Sequence, residues 1–542
     1  MKHAFIVLLA ITLFACPTQA REERPKLVVA IIVDQLRYDY LERFHDQFVD
    51  GGFKRLTDQG AFLTSAHYDY CPTLTGPGHA TILSGSPPSV HGIIGNDWFD
   101  RRTGKTVYCV LDNTVTGVGT TSTSANRSPR NFIGSTVADE MRLRYKSKVI
   151  GISLKDRGAI LPAGRKPAGA FWFDAEAGDF VTSTYYMTAL PDWVRQFNAR
   201  KRPKDFLGQT WDRLLDVAHY AFDDAGPGEA TLVGEKTTTF PHVVTVPSKP
   251  GFDNISPTPF GNQLLAEFAA AAIEGEKLGS GPQPDLLTIS FSSVDAAGHK
   301  FGPYSHEVQD VILRLDRQLA ELFAVLEQKV GFAHIALVLT SDHGVAPTPE
   351  WAAREGFGGE RIDDLALMGD LIAKLGERFG SSRVLLIRKF VAGQLFFNYA
   401  ALKKLQITHA EAADFVREWA LGTGKFAACY SRTDLLAGRA PGSIGEHVLN
   451  GYHAERGGDV VLVFKPYVFF YETEKKAGTT HGSPFTYDTH VPVIFLGAAF
   501  KPGRYAEAFN MTDLAPTLCQ ALRIESPAGS IGVPFAKILA EP

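Results

Sequence analysis

The chain has 542 residues and 59.1 kDa, with 45% hydrophobic and 21% charged side chains; this is a globular composition with a large core, and it excludes a disulfide-stapled mini-protein and a disordered or collagen-like chain. Its 55 Lys and Arg against 59 Asp and Glu give a net charge of −4 with no long basic run, which excludes an electrostatic nucleic-acid binder. The many glycines and prolines point to numerous loops on a regular scaffold, the segments on which sites are usually built.

In chain order, Met1-Lys2-His3, the apolar run Ala4 to Ala15 and the short stretch ending at Ala20 read as a secretory signal peptide over residues 1–20. It is too short to span a bilayer of about 30 Å. The mature chain, 21–542, is therefore expected to be periplasmic or secreted, without a membrane span. Leu13-Phe14-Ala15-Cys16 is a looser lipobox-like match that would place a lipid on Cys16; cleavage after Ala20 is the preferred reading. Cys71, Cys109, Cys429 and Cys519 would remain, and their spacing does not choose a disulfide pairing.

Leu27 to Val33 is a continuous, largely β-branched apolar run, the pattern of a parallel strand buried on both faces, and it ends at Asp34. Val149 to Leu154 is a second such run. From about 176 to 281 the rhythm changes to Trp, Tyr, Phe, Pro and Gly without strand–helix alternation, which predicts an insertion capping the site. Leu286 to Phe291 predicts another strand, leading to Asp295. Val308, Ile312, Leu315, Leu319, Leu322 and Leu326 then mark an amphipathic helix. His334 to Thr340 predicts a strand that ends at Asp342-His343, so strand, helix and strand form a βαβ unit. Residues 346–450, with Val384 to Ile387, Leu395 to Phe397 and a helical stretch from Ala410 to Ala420, predict a small α+β insertion. Val491 to Leu496 predicts a further strand of the main sheet. The fold class is α/β, and in such sheets ligands bind beyond the carboxyl ends of the strands, where Asp34, Asp295 and Asp342 fall.

Asp295-Ala-Ala-Gly-His299, Asp342-His343, Asp34 and His481-Gly482 supply six carboxylate and imidazole ligands, which divide into two three-ligand sites suited to Zn²⁺, or to Mn²⁺ or Fe²⁺. In Tyr70-Cys-Pro-Thr-Leu-Thr75-Gly-Pro-Gly-His79, Pro77 suits a first helical turn and the glycines permit close approach of an anion to free N–H groups. Thr75 is then either a helix cap or, beside a metal, a hydroxyl that loses its proton readily and acts as a nucleophile.

With Thr75-Gly-Pro-Gly-His79, His91-Gly-Ile-Ile-Gly-Asn96, Lys155-Asp-Arg157, the two Asp/His pairs and Thr480-His-Gly-Ser483, the sequence resembles the alkaline phosphatase superfamily, in particular its monomeric PafA-like bacterial branch. The resemblance implies a three-layer α/β/α sandwich with a largely parallel central sheet and inserted cap subdomains. It implies one zinc on Asp295, His299 and His481, and a second on Asp34, Asp342 and His343. Thr75 would lie against the second zinc as the nucleophile that becomes a phosphothreonine. Asn96, Lys155 and Arg157 would contact phosphoryl oxygens. A phosphate monoester has an additional charged oxygen for a Lys and an Arg to meet, whereas a diester carries an ester group there, so small phosphate monoesters are the expected substrates of a monomeric enzyme. The rival readings are a nucleotide pyrophosphatase/phosphodiesterase on the same scaffold and a metal-binding module without turnover. A sulfatase is disfavoured because the Cys-x-Pro-x-Arg pattern is missing. His79, His306, Tyr487, Asp488 and His490 are read as supporting residues.

Overall fold

The computed structural model describes residues 24–246, 251–381, 384–471 and 476–540; the expected signal peptide, with Cys16, lies outside the described residues. Its centre is an 11-stranded sheet. The strands used below are β1 (Leu27–Val33), β2 (Ala61–His67), β3 (Val149–Ser153), β4 (Gly169–Asp174), β5 (Asp179–Ser183), β6 (Asp285–Phe291), β7 (Ile335–Thr340) and β8 (His490–Leu496). Their spatial order is β2-β8-β7-β1-β6-β3-β4-β5. The run β7-β1-β6-β3-β4 is parallel throughout. β8 runs antiparallel to β7 and to β2, and β5 antiparallel to β4, so the sheet is parallel at its centre and mixed toward its edges.

The apolar run of β1 is continuous because its two faces serve two different cores. Leu27, Val29, Ile31 and Val33 join one cluster, with Leu287, Ile289, Leu337 and Leu339. Val28, Ala30 and Ile32 join the other, with Leu286, Ala336 and Val338. The helices α1 (Thr75–Ile82), α2 (Asp156–Ile160), α3 (Pro259–Gly275), α4 (Ser293–Phe301) and α5 (His306–Lys329) flank the sheet. α3 and α5 cover the first face through Leu264, Phe268, Val308, Ile312, Leu315 and Leu319. Ile82 of α1 and the helix Leu514–Leu522 cover the second. This is the α/β/α sandwich expected.

The register sets the site. Val33 stands opposite Phe291, and Ile32 opposite Thr340, so the three central strands end level with one another and the chain leaves each of them toward Asp34, Asp295 and Asp342.

The stretch 176–281 divides. Its strand β5 belongs to the main sheet and α3 to the helical layer, while Phe206, Trp211, Phe240 and Val244 join the core beneath, where Trp211 Nε1–H donates to Asp310 of α5 at 2.7 Å. The loop at Gly226–Ala230 approaches the site, with Ala230 N–H donating to the Lys300 carbonyl and the Gly228 carbonyl accepting from Gly478 N–H. A second, four-stranded sheet, in the order Ile387–Val391, Gln394–Phe397, Val460–Phe464, Phe426–Ser431, packs on helices Asp364–Phe379 and His409–Gly422 around Leu371, Leu375, Val416 and Trp419. It draws its third strand from beyond residue 450. All four described cysteines are free and buried.

Candidate active site

The six sequence-predicted ligands meet at the carboxyl ends of β1, β6 and β7. Asp34 follows β1 directly and is fully buried. Asp295 sits in the first turn of α4, with His299 one turn later on the same face. Asp342-His343 follow β7, and His481 arrives on the loop before β8, its ring stacked on that of His343 at 3.5 Å. Ligand atoms of Asp295, His299 and His481 lie within 4.8 Å of one another, as do those of Asp34, Asp295 and His343. Asp342 adjoins the second group, with Oδ2 3.3 Å from His343 Nε2. Asp295 thus belongs to both groups.

The imidazoles are oriented by backbone. Nδ1 of His299 donates to the Thr479 carbonyl (2.9 Å), Nδ1 of His481 to the Thr73 carbonyl (2.7 Å) and Nδ1 of His343 to the Gly344 carbonyl (2.9 Å). All three rings thereby turn Nε2 toward the carboxylates, the nitrogen through which a histidine oriented in this way ligates a metal; in His299, although burial opposes it, the adjacent Asp295 raises the imidazole above its usual range. His481 is held neutral by burial and by the neighbouring His343 and His299, well below the usual imidazole range. His79 differs. Its Nδ1 faces the Thr75 carbonyl and Asp342, and its Nε2 bonds Ser290 Oγ at 2.7 Å, so both nitrogens are engaged and it supports the site without offering a ligand.

Three buried carboxylates in one cavity need positive charge nearby. Burial, with Asp295 and Asp342 adjacent, pushes Asp34 up to about 7. Asp34 Oδ1 is buried with no hydrogen-bond partner. Asp295 and Asp342, although burial opposes their ionisation, are held below the usual carboxylate range, Asp295 by Lys155 and His299, Asp342 by His343 and His79. An orphaned carboxylate oxygen, three inward imidazole Nε2 atoms and mixed O/N donors fit borderline divalent cations such as Zn²⁺. Lys155 stands between the two groups, with Nζ 2.6 Å from Asp34 and 2.5 Å from Asp295. Gln35 ties the carboxylates together. Its backbone N–H donates to Asp342 Oδ1 at 3.1 Å and its Nε2 to Asp295 Oδ1 at 2.7 Å, from a left-handed φ of 69°. A non-glycine residue held there stores backbone strain that the surrounding bonds maintain.

Thr75 is the first residue of α1, and the cap position before it is Leu74. Its hydroxyl is therefore free of capping and lies 3.4 Å from His343 Nε2. Three residues along, a Cβ on Gly78 would stand 2.3 Å from the Asp342 carbonyl oxygen, so only glycine lets α1 approach the end of β7 this closely. Asn96 Oδ1 accepts from the Gly76 N–H at 2.8 Å, which leaves its amide NH₂ as the end available to a ligand. Lys155 and Arg157 open α2, and Arg157 Nη1 donates to Tyr108 Oη at 3.1 Å. The site therefore gathers a hydroxyl, an amide, a lysine and an arginine beside two overlapping groups of side chains that could hold a metal ion.

The family model described as type I phosphodiesterase / nucleotide pyrophosphatase matches residues 28–484. The chain belongs to this family, within the alkaline phosphatase superfamily. Among its relatives, alkaline phosphatase PafA of Elizabethkingia meningoseptica is 40% identical over 526 residues, covering 95% of each chain. A protein of Myroides odoratus named calcium-transporting ATPase is 38% identical over 97% of each, and alkaline phosphatase PhoV of Synechococcus elongatus is 38% identical over 95% of this chain and 93% of its own. The crystal structure of PafA superposes with a TM-score of 0.90 at 39% identity, covering 95% of this chain and 99% of that one. A solved PafA variant carries substitutions at one threonine, one asparagine, one lysine and one arginine.

Gln35 and Tyr108 escape reasoning from sequence, whereas Asp488, read there as a supporting residue, has that role. Gln35 follows Asp34 directly, but nothing in its type announces a left-handed backbone. Asp488 accepts from Gly482 N–H, Ser483 N–H and Ser483 Oγ, and its own carbonyl accepts from Gly344 N–H, so it pins the turns beside both His481 and His343. Tyr108, 48 residues before Asp156, has no signal in the sequence.

Proposed function

We propose that this protein hydrolyses phosphate monoesters as an alkaline phosphatase, through a phosphothreonine at Thr75 and with two zinc ions per chain. The observation that carries the reading is the Thr75 hydroxyl, free of capping and beside His343, at a cluster in which three histidines turn Nε2 to shared carboxylates. Asp295, His299 and His481 would hold one ion, and Asp34, Asp342 and His343 the other. Ions bound there would supply Lewis-acid stabilisation of oxygen charge on either side of the phosphorus. The Thr75 oxygen attacks phosphorus in line as the alcohol departs, and water then releases phosphate and restores the threonine. Asn96 Nδ2, Lys155 and Arg157 donate to the phosphoryl oxygens. The names of the PafA and PhoV relatives support monoesterase activity, and the residue types altered in the PafA variant match these four positions.

The family description favours a second reading, a phosphodiesterase or nucleotide pyrophosphatase. Lys155 and Arg157 weigh against it, since a diester puts an ester group where they would meet a charged oxygen. Hydrolysis of a phosphate monoester and a matched diester, before and after chelation, with metal analysis, decides. Monoester turnover in excess, lost on chelation and restored by Zn²⁺ at two ions per chain, is expected; dominant diester turnover would reverse the assignment, and turnover of neither would leave a metal-binding module.

The reading includes export through residues 1–20, a monomer in solution, and 21–542 as one catalytic unit. Among the described residues no helix is long and apolar enough to cross a membrane.

A further inference from the structure

We propose that Tyr108 is a positioning residue for Arg157 and thereby a determinant of preference for monoesters over diesters. This rests on the assignment of Arg157 to a phosphoryl oxygen. Tyr108 ends the strand Lys105–Tyr108, which pairs with Asp97–Asp100 immediately after Asn96, so the hairpin carrying the tyrosine leaves directly from a phosphoryl contact. Its hydroxyl has one proton, and that proton goes to Asp156 Oδ1 at 2.5 Å. The oxygen lone pairs are then directed at Arg157 Nη1, 3.1 Å away.

Asp156 is itself fixed on all sides. Oδ1 also accepts the Arg157 backbone N–H at 2.7 Å, and Oδ2 accepts Arg127 Nε at 2.6 Å, while the Arg127 guanidinium lies 5.0 Å from the centre of the Tyr108 ring. The order is Arg127 to Asp156 to Tyr108 to Arg157, with donors and acceptors alternating. Arg157 Nε is buried without a hydrogen-bond partner, so the guanidinium takes its direction from its outer nitrogens, and Tyr108 is the acceptor on Nη1. An arginine side chain has much rotamer entropy to lose, and a fork already set loses less of it on meeting an oxygen. A diester draws less on that fork, because the oxygen it would meet is esterified.

The test is steady-state kinetics of the zinc-loaded enzyme on a monoester and a matched diester, with inorganic phosphate as a competitive inhibitor, for Tyr108→Phe, Asp156→Asn, Arg157→Ala and the Tyr108→Phe/Arg157→Ala double variant. Tyr108→Phe should lower monoester kcat/KM about tenfold, the size of one hydrogen bond to a charged group, and weaken phosphate inhibition by a similar factor. Diester kcat/KM should fall less than about threefold. In the Arg157→Ala background the tyrosine change should have no further effect on the monoester, because its target is gone. Asp156→Asn, which loosens the hydroxyl without removing it, should shift the monoester-to-diester ratio in the same direction. Equal losses on both substrates, or monoester losses that multiply in full in the double variant, would overturn the role of Tyr108. If Arg157→Ala itself leaves the ratio unchanged, the fault lies in the underlying assignment of Arg157.

Discussion

Replacing Gly78 by alanine puts a methyl group into the contact between α1 and the end of β7. The added Cβ would stand 2.3 Å from the Asp342 carbonyl oxygen and 2.7 Å from Asp342 Cβ. Neither is the far end of a flexible side chain. Ordinary non-bonded contact needs about 3.5 Å, so the helix and the strand end must separate by roughly 1 Å. The helix carries Thr75 at its first position, and Asp342-His343 lie on the other side of the gap, so the separation falls on the Thr75–His343 approach. Misplacing a reacting group by about 1 Å costs on the order of 10²-fold in rate, and overpacking of this kind destabilises by about 1–3 kcal/mol. Monoester kcat/KM, zinc content and the denaturant midpoint are to be measured together. Gly369→Ala is the control, since it lies in the helix Asp364–Phe379 with nothing within 4 Å of the added Cβ. It should leave activity alone and add about 0.5–1 kcal/mol of stability from helix propensity. A Gly78→Ala enzyme with wild-type kcat/KM would refute the claim that this close approach sets the nucleophile.

Three further outcomes are expected. Thr75→Ala should abolish covalent phosphorylation of the chain, followed by mass spectrometry after acid quench, while bound zinc stays near the wild-type level; loss of the metal would show that the hydroxyl is structural. Gln35→Ala removes the amide bond to Asp295 and should speed zinc loss to a competing chelator by about tenfold or more, the usual cost of removing a group that orients a metal ligand, and unchanged zinc retention would remove Gln35 from the site. His91 is buried and pushed down to about 3, by burial first and then by Arg456. Between pH 6.5 and 3 the unfolded chain therefore binds a proton there that the folded chain does not, so stability falls as pH falls through this window. Chemical denaturation of His91→Asn across it should show a shallower decline, by up to about 1.4 kcal/mol per pH unit; parallel curves would mean that His91 is not held neutral.

What the sequence makes legible follows from how many physical constraints act on each residue. β1 is readable because both of its faces are buried, which forces seven consecutive apolar side chains, and its end is readable because Asp34 breaks the run. The same reasoning finds β6 and β7, and the parallel register then makes Asp34, Asp295 and Asp342 neighbours without further information. Direction was not legible in β8. His490 to Leu496 is as apolar as a parallel strand, yet it runs antiparallel to β7, because burial by neighbours on both faces dictates composition whatever the strand's sense. The stretch 176–281 misleads in the same way. Its aromatic residues suggest a separate cap, but Phe206, Trp211 and Phe240 are large because they fill the space over α5, within the main core.

The site divides along a similar line. A metal ligand is restricted to a few residue types, so spacing alone can nominate it, and all six nominated ligands gather in one cluster. The residues that aim those ligands act through backbone carbonyls, a carboxylate or a strained turn, and many residue types can do that. Thr479, Thr73 and Gly344 orient the three histidines with carbonyl oxygens that every amino acid possesses. No sequence pattern can mark them. Gln35 and Tyr108 are intermediate cases, since each uses its side chain but takes its meaning from partners 260 and 49 residues away. If orientation rather than ligand identity limits this site, then substitutions at Gln35 should separate from substitutions at Asp34 in kind: the first should alter how fast zinc leaves, and the second how many ions remain. Equal effects of both on the number of bound ions would mean that Gln35 contributes to the cluster as a ligand would, holding the metal rather than aiming its ligands.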